Sequence, residues 1–410
     1  MPFTDRIIPL IRYCHYKVAQ CIYKYVRHRI HKPNRKQQTG GTMITKLDDP
    51  SMYGYIKDTG HALRNAYEER ALFCDPFVDL MTSHDFKRVY FVGSGTSYNA
   101  SLYIATLFQR YCKVEASAGF PTRFDENDIA TSGAYRPDQV LVIGVSQSGT
   151  SVSTIDVMRL AHEAGFYALA LTDVMDSPVT ESVDSAIRLL TGKEEVHVET
   201  RGYQVSLFEG YLLAMSAGHA LGTIDDASFE ARLDAARTLA ESYDHLVEQA
   251  DAWYDENVFE LMALTRGYVC TYGINACTAE EAELKMNETY HKPVRGYELE
   301  EMIHGPHYAL DENNYSFFVA PDGPGIERIP SFLKWYEDNK VTEHVFVVTN
   351  GDHKGEFGPK SICFEEEIPD ELTPLAMAIP FQIISCRNCI NAKIDTRYRP
   401  ANRTSFAHLD

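Results

Sequence analysis

The chain has 410 residues, 44% of them apolar, and a formal charge of −19. That length allows two domains with separate cores, and the composition excludes a disordered chain. The acidic balance excludes non-specific nucleic-acid binding, which draws its affinity from Lys and Arg, and no apolar run approaches the roughly 18 residues of a membrane span.

Residues 1–42 differ from the rest. Nine Lys or Arg there stand against one acid, Asp5, whereas residues 43–410 hold 30 bases and 57 acids. Residues 7–26 have the pattern of a basic amphipathic helix, which suits an anionic surface. Met43 opens the acidic segment and reads as the start of an enzyme, preceded by an extension outside the fold. The nine cysteines (Cys14, Cys21, Cys74, Cys112, Cys270, Cys277, Cys363, Cys386 and Cys389) are odd in number and scattered. No secretory signal precedes them, so reduced thiols are expected. Cys386 and Cys389 form a single CxxC without the second pair of a zinc site, so no metal is expected.

Residues 56–80 carry apolar side chains (Ile56, Leu63, Ala66, Leu72, Phe77) near helical spacing. A short apolar run over 88–92 ends in Gly93-Ser94-Gly95-Thr96-Ser97, and a helical stretch over 98–111 follows. Residues 139–145 repeat the arrangement, closing on Ser146-Gln147-Ser148-Gly149-Thr150-Ser151 before a helix toward Glu163. Runs at 166–172 and 185–190 read as two more strands, and Thr200 opens a further helical stretch. A long acidic helix over about 228–254 separates this half from a second. There, runs at 266–273 and 344–351 echo those at 88–93 and 139–144. Buried-type strands alternating with helices predict an α/β fold, with parallel sheets covered on both faces in tandem copies of one unit. The expected division is an extension over 1–42, a first domain over 43–225, a linker helix over 226–256 and a second domain over 257–410.

A phosphoryl dianion needs several converging N–H and O–H donors, and a helix N terminus supplies them with a favourable dipole. The two Gly/Ser/Thr loops have that composition at strand-to-helix junctions, where ligands of open parallel sheets bind. Neither is a Walker loop, since no Lys follows the glycines, and Tyr98 stands where a dinucleotide fingerprint requires a third glycine. A single such loop is explained equally well as an ordinary helix cap; two at equivalent junctions favour phosphate. Thr200 is a possible third contributor, although capping explains it almost as well.

The second informative region runs from 279 to 306. Glu281, Lys285 and Glu288 fall at i, i+4 and i+7, so a helix places all three on one face. Downstream, Glu301 and His304 precede Gly305-Pro306, which fixes the turn carrying His304. Carboxylates, an amine and an imidazole so close in sequence are the groups needed to move a proton between C1 and C2 of an open-chain sugar.

These motifs resemble a known family. GSGTSYNAS, starting at Gly93, and SQSGTS, starting at Ser146, look like the two phosphate-binding loops of the sugar isomerase (SIS) domain. ELKMNE, followed by HGP sixteen residues after Glu288, is similar to the isomerase part of glucosamine-6-phosphate synthase, to fructosamine-6-phosphate deglycases and to SIS-type amino-sugar-phosphate deaminases. The resemblance covers about residues 50–410 and implies two tandem flavodoxin-like SIS domains. It implies that Ser94, Thr96, Ser97, Ser146, Gln147, Ser148 and Ser151 hold the sugar phosphate. Glu288 would be the proton-shuttling base, His304 would assist ring opening or protonate the leaving group, and Lys285 and Glu281 would orient the open chain.

The family's His comes from a neighbouring subunit, so a homodimer is implied, in the cytoplasm and with no cofactor. Two departures matter. No segment resembles the synthase's glutaminase domain, so the resemblance does not extend to taking ammonia from glutamine. A gapless alignment of the tails from Lys393, matching Pro400 and Asn402, places Ser405 where the synthase has its imine-forming lysine. The leading expectation is therefore removal of an amine from an amino-sugar phosphate or a fructosamine 6-phosphate. The alternatives are aldose–ketose isomerisation without amine release, and a non-catalytic sugar-phosphate sensor.

Overall fold

The computed structural model describes residues 47, 50–124 and 134–397. The basic segment 1–42, with Cys14 and Cys21, and the tail positions Pro400, Asn402 and Ser405 lie outside the described residues. Met43–Asp410 forms one compact unit.

Two helices lead, α1 (Met52–Glu68) and α2 (Ala71–Ser83). The sequence pattern reads as one helix because apolar spacing persists across the break at Glu69 and Arg70. Strands β1 (Arg88–Val92), β2 (Glu115–Gly119), β3 (Val140–Val145), β4 (Tyr167–Thr172) and β5 (Ser185–Arg188) form the first sheet. Its helices are α3 (Thr96–Tyr111) after β1, α4 (Val152–Glu163) after β3, and α5 (Arg201–Ala220) after β5. The long α6 (Asp226–Glu256) leads to the second half. That half comprises β6 (Gly267–Thr271), α7 (Ala276–Thr289), β7 (Val294–Glu298), β8 (Tyr315–Val319), α8 (Ile329–Asn339), β9 (Val345–Asn350), β10 (Ile362–Phe364) and α9 (Ile379–Ala392).

The first sheet has the order β2-β1-β3-β4-β5, and the second has β10-β9-β8-β6-β7. Read from its other edge, the second order is the same 2-1-3-4-5, and every strand pair is parallel. The chain is thus a tandem α/β pair, as the strand–helix alternation predicts. The alternation of strand side chains sorts the core. Val89 and Phe91 of β1, Leu141 and Ile143 of β3, Phe317 of β8 and Phe346 of β9 all enter one shared core with α3, α5, α7 and α9. Tyr90, Val92, Val140 and Val142 face α4 on the far side of the first sheet, and Phe318 and Val347 face α8 on the far side of the second. Each fully buried Phe or Leu contributes about 1.5–3 kcal/mol, so the shared core holds the two copies together as well as each sheet.

One buried ion pair fixes the start of α5. Arg201 Nη1 lies 2.6 Å from Asp58 Oδ2 of α1, its Nε donates to Thr191 O at 3.1 Å, and its guanidinium stacks over Tyr55. Removing one partner leaves a desolvated charge. Arg201→Met is therefore expected to cost about 3–5 kcal/mol in urea unfolding; a loss below about 1 kcal/mol would show that Asp58 finds another cation.

Candidate active site

The two Gly/Ser/Thr loops lie at the carboxyl ends of β1 and β3, which are adjacent strands, at the point where the strand order reverses. Gly95 (φ 58°) and Gly149 (φ 66°) take backbone conformations that a side chain disfavours. At Gly149 an added Cβ would also sit 1.9 Å from Ser177 Oγ. Gly95 caps α3 and Ser151 caps α4, yet neither makes a side-chain capping bond. No side-chain cap therefore takes up the first-turn N–H groups of these helices, Gly95 having no side chain to do so. Ser151 Oγ instead accepts from Thr154 Oγ1 at 3.1 Å, and Ser148 Oγ lies 2.9 Å from Thr150 Oγ1. Ser94 Oγ is 3.5 Å from Ser153 Oγ, which brings the two loops together. Ser94 and Ser148 are exposed, Ser97 and Ser151 are half-buried, and Ser146 and Gln147 are buried. Gln147 Nε2 donates to Ser206 Oγ at 3.1 Å on α5.

Glu281, Lys285 and Glu288 share one face of α7, the second sheet's counterpart of α3, and the two helices pack together. Glu281 and Lys285 are each 1% exposed, while the Glu288 side chain keeps 30% of its surface. Lys285 Nζ lies 3.0 Å from Glu281 Oε1, 2.7 Å from Glu288 Oε1 and 3.0 Å from Thr96 Oγ1. Asn99 Nδ2 of α3 donates to Glu281 Oε2 at 2.8 Å. Burial pushes the Glu281 carboxyl above its ordinary range, opposed by Lys285 and Asn99. Burial alone would pull the Lys285 ammonium down, but the field of Glu281 and Glu288 holds it above its ordinary value. Thr96, expected as a phosphate ligand, thus stands between the loop and the charged cluster. His304 is exposed on the turn after Ile303, near Glu300, and no hydrogen bond ties it to this cluster.

A segment that sequence spacing does not reveal also faces the cluster: residues 191–200, between β5 and α5. Glu194 accepts from Thr200 N (3.1 Å), Thr200 Oγ1 (3.2 Å) and Gly202 N (2.8 Å). The Thr200 side chain thus donates to Glu194 and does not cap α5. Glu199 has no side-chain hydrogen bond among the described residues. Burial pushes it up to about 7, with Glu194, Glu281 and Glu288 adding to the shift and Lys285 opposing it. Its only sequence signal is adjacency to Thr200; its meeting with α7 depends on the tertiary fold. Asn99 and Ser153, which lie in or beside the quoted loops, also join the site without a motif position to mark them. Cys386 and Cys389 are both buried on α9 and neither is in a disulfide.

Residues 84–224 match the family model described as the SIS domain. The glutamine–fructose-6-phosphate aminotransferase [isomerizing] of Fusobacterium nucleatum is 26% identical over 321 residues, covering 78% of this chain and 51% of that protein. The chain thus spans about half the length of the curated relatives it matches. The C-terminal domain of glucosamine-fructose-6-phosphate aminotransferase from Francisella tularensis superposes with a TM-score of 0.74 at 19% identity, over 86% of this chain and 99% of that one. A glucosamine-6-phosphate deaminase from Thermotoga maritima gives 0.66 at 16% identity, over 85% and 97%. Both superpositions cover most of this chain, which therefore shares their fold. Among the described residues no helix is long and apolar enough to cross a membrane.

The link between the first Gly/Ser/Thr loop and α7 gives a test. In Lys285→Met the buried Glu281 loses its cation, so its native pKa rises further above the unfolded value of about 4.3. A group with a raised native pKa supports folding below its unfolded pKa and opposes it as pH rises. The stability gap to the parent should therefore widen from pH 5 to pH 8, by up to about 1.4 kcal/mol per pH unit. Chemical denaturation across that range reads the slope; a gap independent of pH would show that Glu281 keeps its charge without Lys285.

Proposed function

We propose that the chain binds a phosphorylated sugar and removes an amine from it, acting on an amino-sugar phosphate or a fructosamine 6-phosphate. The observation that carries this reading is the unbroken contact from the loop hydroxyl of Thr96 through Lys285 Nζ to Glu288. A phosphate at the uncapped ends of α3 and α4 anchors one end of an open-chain sugar. Glu288 then lies within reach of the carbons at the other end, half-exposed and held by a single hydrogen bond on Oε1.

In this reading Ser94, Thr96, Ser97, Ser146, Gln147, Ser148 and Ser151 with the loop N–H groups hold the phosphate. Glu288 takes a proton from one of C1 and C2 and returns it to the other, passing through an enamine. The resulting imine is hydrolysed by water, releasing the amine and leaving a carbonyl. Because the substrate brings its own nitrogen, no imine-forming lysine is required. Lys285 and Glu281 position Glu288 and the chain. His304 serves ring opening or leaving-group protonation from a second copy of the protein, since in its own chain it is exposed and makes no hydrogen bond to the cluster among the described residues. The names of the similar proteins, an aminotransferase acting on fructose 6-phosphate and a glucosamine-6-phosphate deaminase, support a phosphosugar with nitrogen at C1 or C2.

Release of ammonia or free amine from glucosamine 6-phosphate and a panel of fructosamine 6-phosphates, followed by mass spectrometry, tests this. Release is expected with one of them and should fall about 10²–10⁴-fold in Glu288→Gln, the usual contribution of general acid–base catalysis, with binding retained. An equimolar mixture of Glu288→Gln and His304→Ala chains should regain activity that neither has alone. Clean interconversion of fructose 6-phosphate and glucose 6-phosphate without amine release would instead make the protein an isomerase.

A further inference from the structure

We propose that Ser177 is a positioning residue for the phosphate: it occupies the space beside Gly149 and so holds the backbone of the second Gly/Ser/Thr loop in the conformation that receives an anion. This rests on the reading of the loops as a phosphate site, and assigns part of the grip to a residue outside both motifs.

The case begins with the carbonyl groups of the loop. Gln147 O accepts from Asp173 N at 3.1 Å and from Thr172 Oγ1 at 3.2 Å, and Gly149 O accepts from Val179 N at 3.0 Å. All these donors belong to the end of β4 and the connector that follows it. The peptide bonds are trans among the described residues, and in a trans peptide the C=O and the next N–H point in opposite directions. Carbonyls drawn into the protein therefore turn the N–H groups of Ser148 and Thr150 the other way. Backbone N–H groups turned outward in this manner make an anion-binding concavity. The Thr150 N–H has Ser148 Oγ at 3.4 Å, a long contact that a charged oxygen would replace with a stronger one.

The second step is what keeps this arrangement in place. Gly149 adopts φ 66°, one of several conformations open to a glycine. Its surroundings remove that freedom. A Cβ built on Gly149 would meet Ser177 Oγ at 1.9 Å and Ser177 Cβ at 2.4 Å. Ser177 thus stands where the side chain of any other residue would go. It is itself fixed, because its carbonyl accepts from Thr180 N at 3.0 Å and Thr180 Oγ1 at 2.8 Å.

Stability does not account for a serine at this position. Ser177 is 5% exposed, and its hydroxyl has no hydrogen-bond partner among the described residues. A buried unpaired hydroxyl opposes folding, and alanine would avoid that cost. The fit against Gly149 does account for it: alanine leaves the space part-filled, and a longer side chain enters the loop. A local departure from good polar pairing is expected where function requires it. With the loop already shaped, the phosphate does not have to order it on binding. Ser177 itself makes no contact with the ligand in this scheme.

Titration calorimetry of the full chain with inorganic phosphate and with glucose 6-phosphate, beside urea unfolding, tests the proposal. Ser177→Ala should bind both probes about three- to tenfold more weakly, as the ligand now has to order the loop, yet unfold at no lower urea concentration than the parent. Gly149→Ala should lose more affinity, and adding Ser177→Gly to it should restore part of the loss, because the obstructing atoms are gone. In amine release, Ser177→Ala should raise KM and leave kcat unchanged, since the phosphate is held alike in ground and transition states. Parent-like affinity in Ser177→Ala, a loss of affinity matched by a loss of stability, or no recovery in the double variant would each overturn the proposal. A parent that binds neither probe would overturn the phosphate reading and this proposal together, whereas failure in the Ser177 variants alone leaves that reading standing.

Discussion

The buried ammonium of Lys285 is the constraint on which the arrangement of the site depends. A charge so enclosed is costly unless its partners are close and complete. Here they are: Glu281 one helical turn before it, Glu288 one turn after, and Thr96 across the interface. The first two follow from the i−4 and i+3 geometry of α7 alone. The third does not. It requires α3, from the other sheet, to present its first residue to α7, and Asn99 one turn further on reinforces the contact through Glu281. The first Gly/Ser/Thr loop and α7 are therefore set relative to one another by a polar contact with little tolerance for sliding, embedded in a common apolar core.

That contact gives the duplication of the fold a purpose. Helices α3 and α7 are the same element in two copies of one topology, each following the first strand of its sheet. Packed against each other, they bring the switch point of the first sheet beside the middle of α7. The copies have diverged in what they offer there. The first sheet keeps small hydroxyl residues and uncapped helix ends. In the second, the corresponding loops are occupied by the protein's own groups: Tyr272 packs beside Gly325, and Asp322 receives His353 and donates its N–H to Asn350. The small hydroxyl residues are concentrated in one copy and the Glu281, Lys285 and Glu288 cluster in the other, so neither half holds the whole set.

Much of this was legible because the informative strands are central ones. β1, β3, β4, β6 and β9 are buried on both faces and read as apolar runs, and their loops carry distinctive Gly, Ser and Thr. β2, with sequence EASAG, and β7, with VRGYE, are edge strands with half-exposed residues, and β10 has three residues, so composition barely separates them from loops. β8 is hard to read from sequence for a different reason. Its run YSFFV is fully buried, but it lies between polar turns with no loop motif to mark a sheet position. The helical face of Glu281, Lys285 and Glu288 could be derived from spacing. That Lys285 reaches Thr96, 189 residues away, could not, nor could the approach of Glu194 and Glu199 from the segment before α5. Local periodicity carries no record of which loop the tertiary fold returns to a given helix.

The distinction between moving a proton and choosing the substrate follows from the same geometry. A carboxylate next to C1 and C2 serves isomerisation and amine removal alike, because both begin with the same proton transfer. Glu288 therefore sets a class of chemistry and leaves the substituent undetermined. The groups that can discriminate are those whose energies change with the substituent's charge. In a partly dehydrated pocket the strongest such term is an ionisable group without a partner. The hydroxyls of the phosphate loops do not qualify, since every candidate sugar carries the same phosphate. Lys285 does not qualify either, because its three hydrogen bonds are already made within the protein.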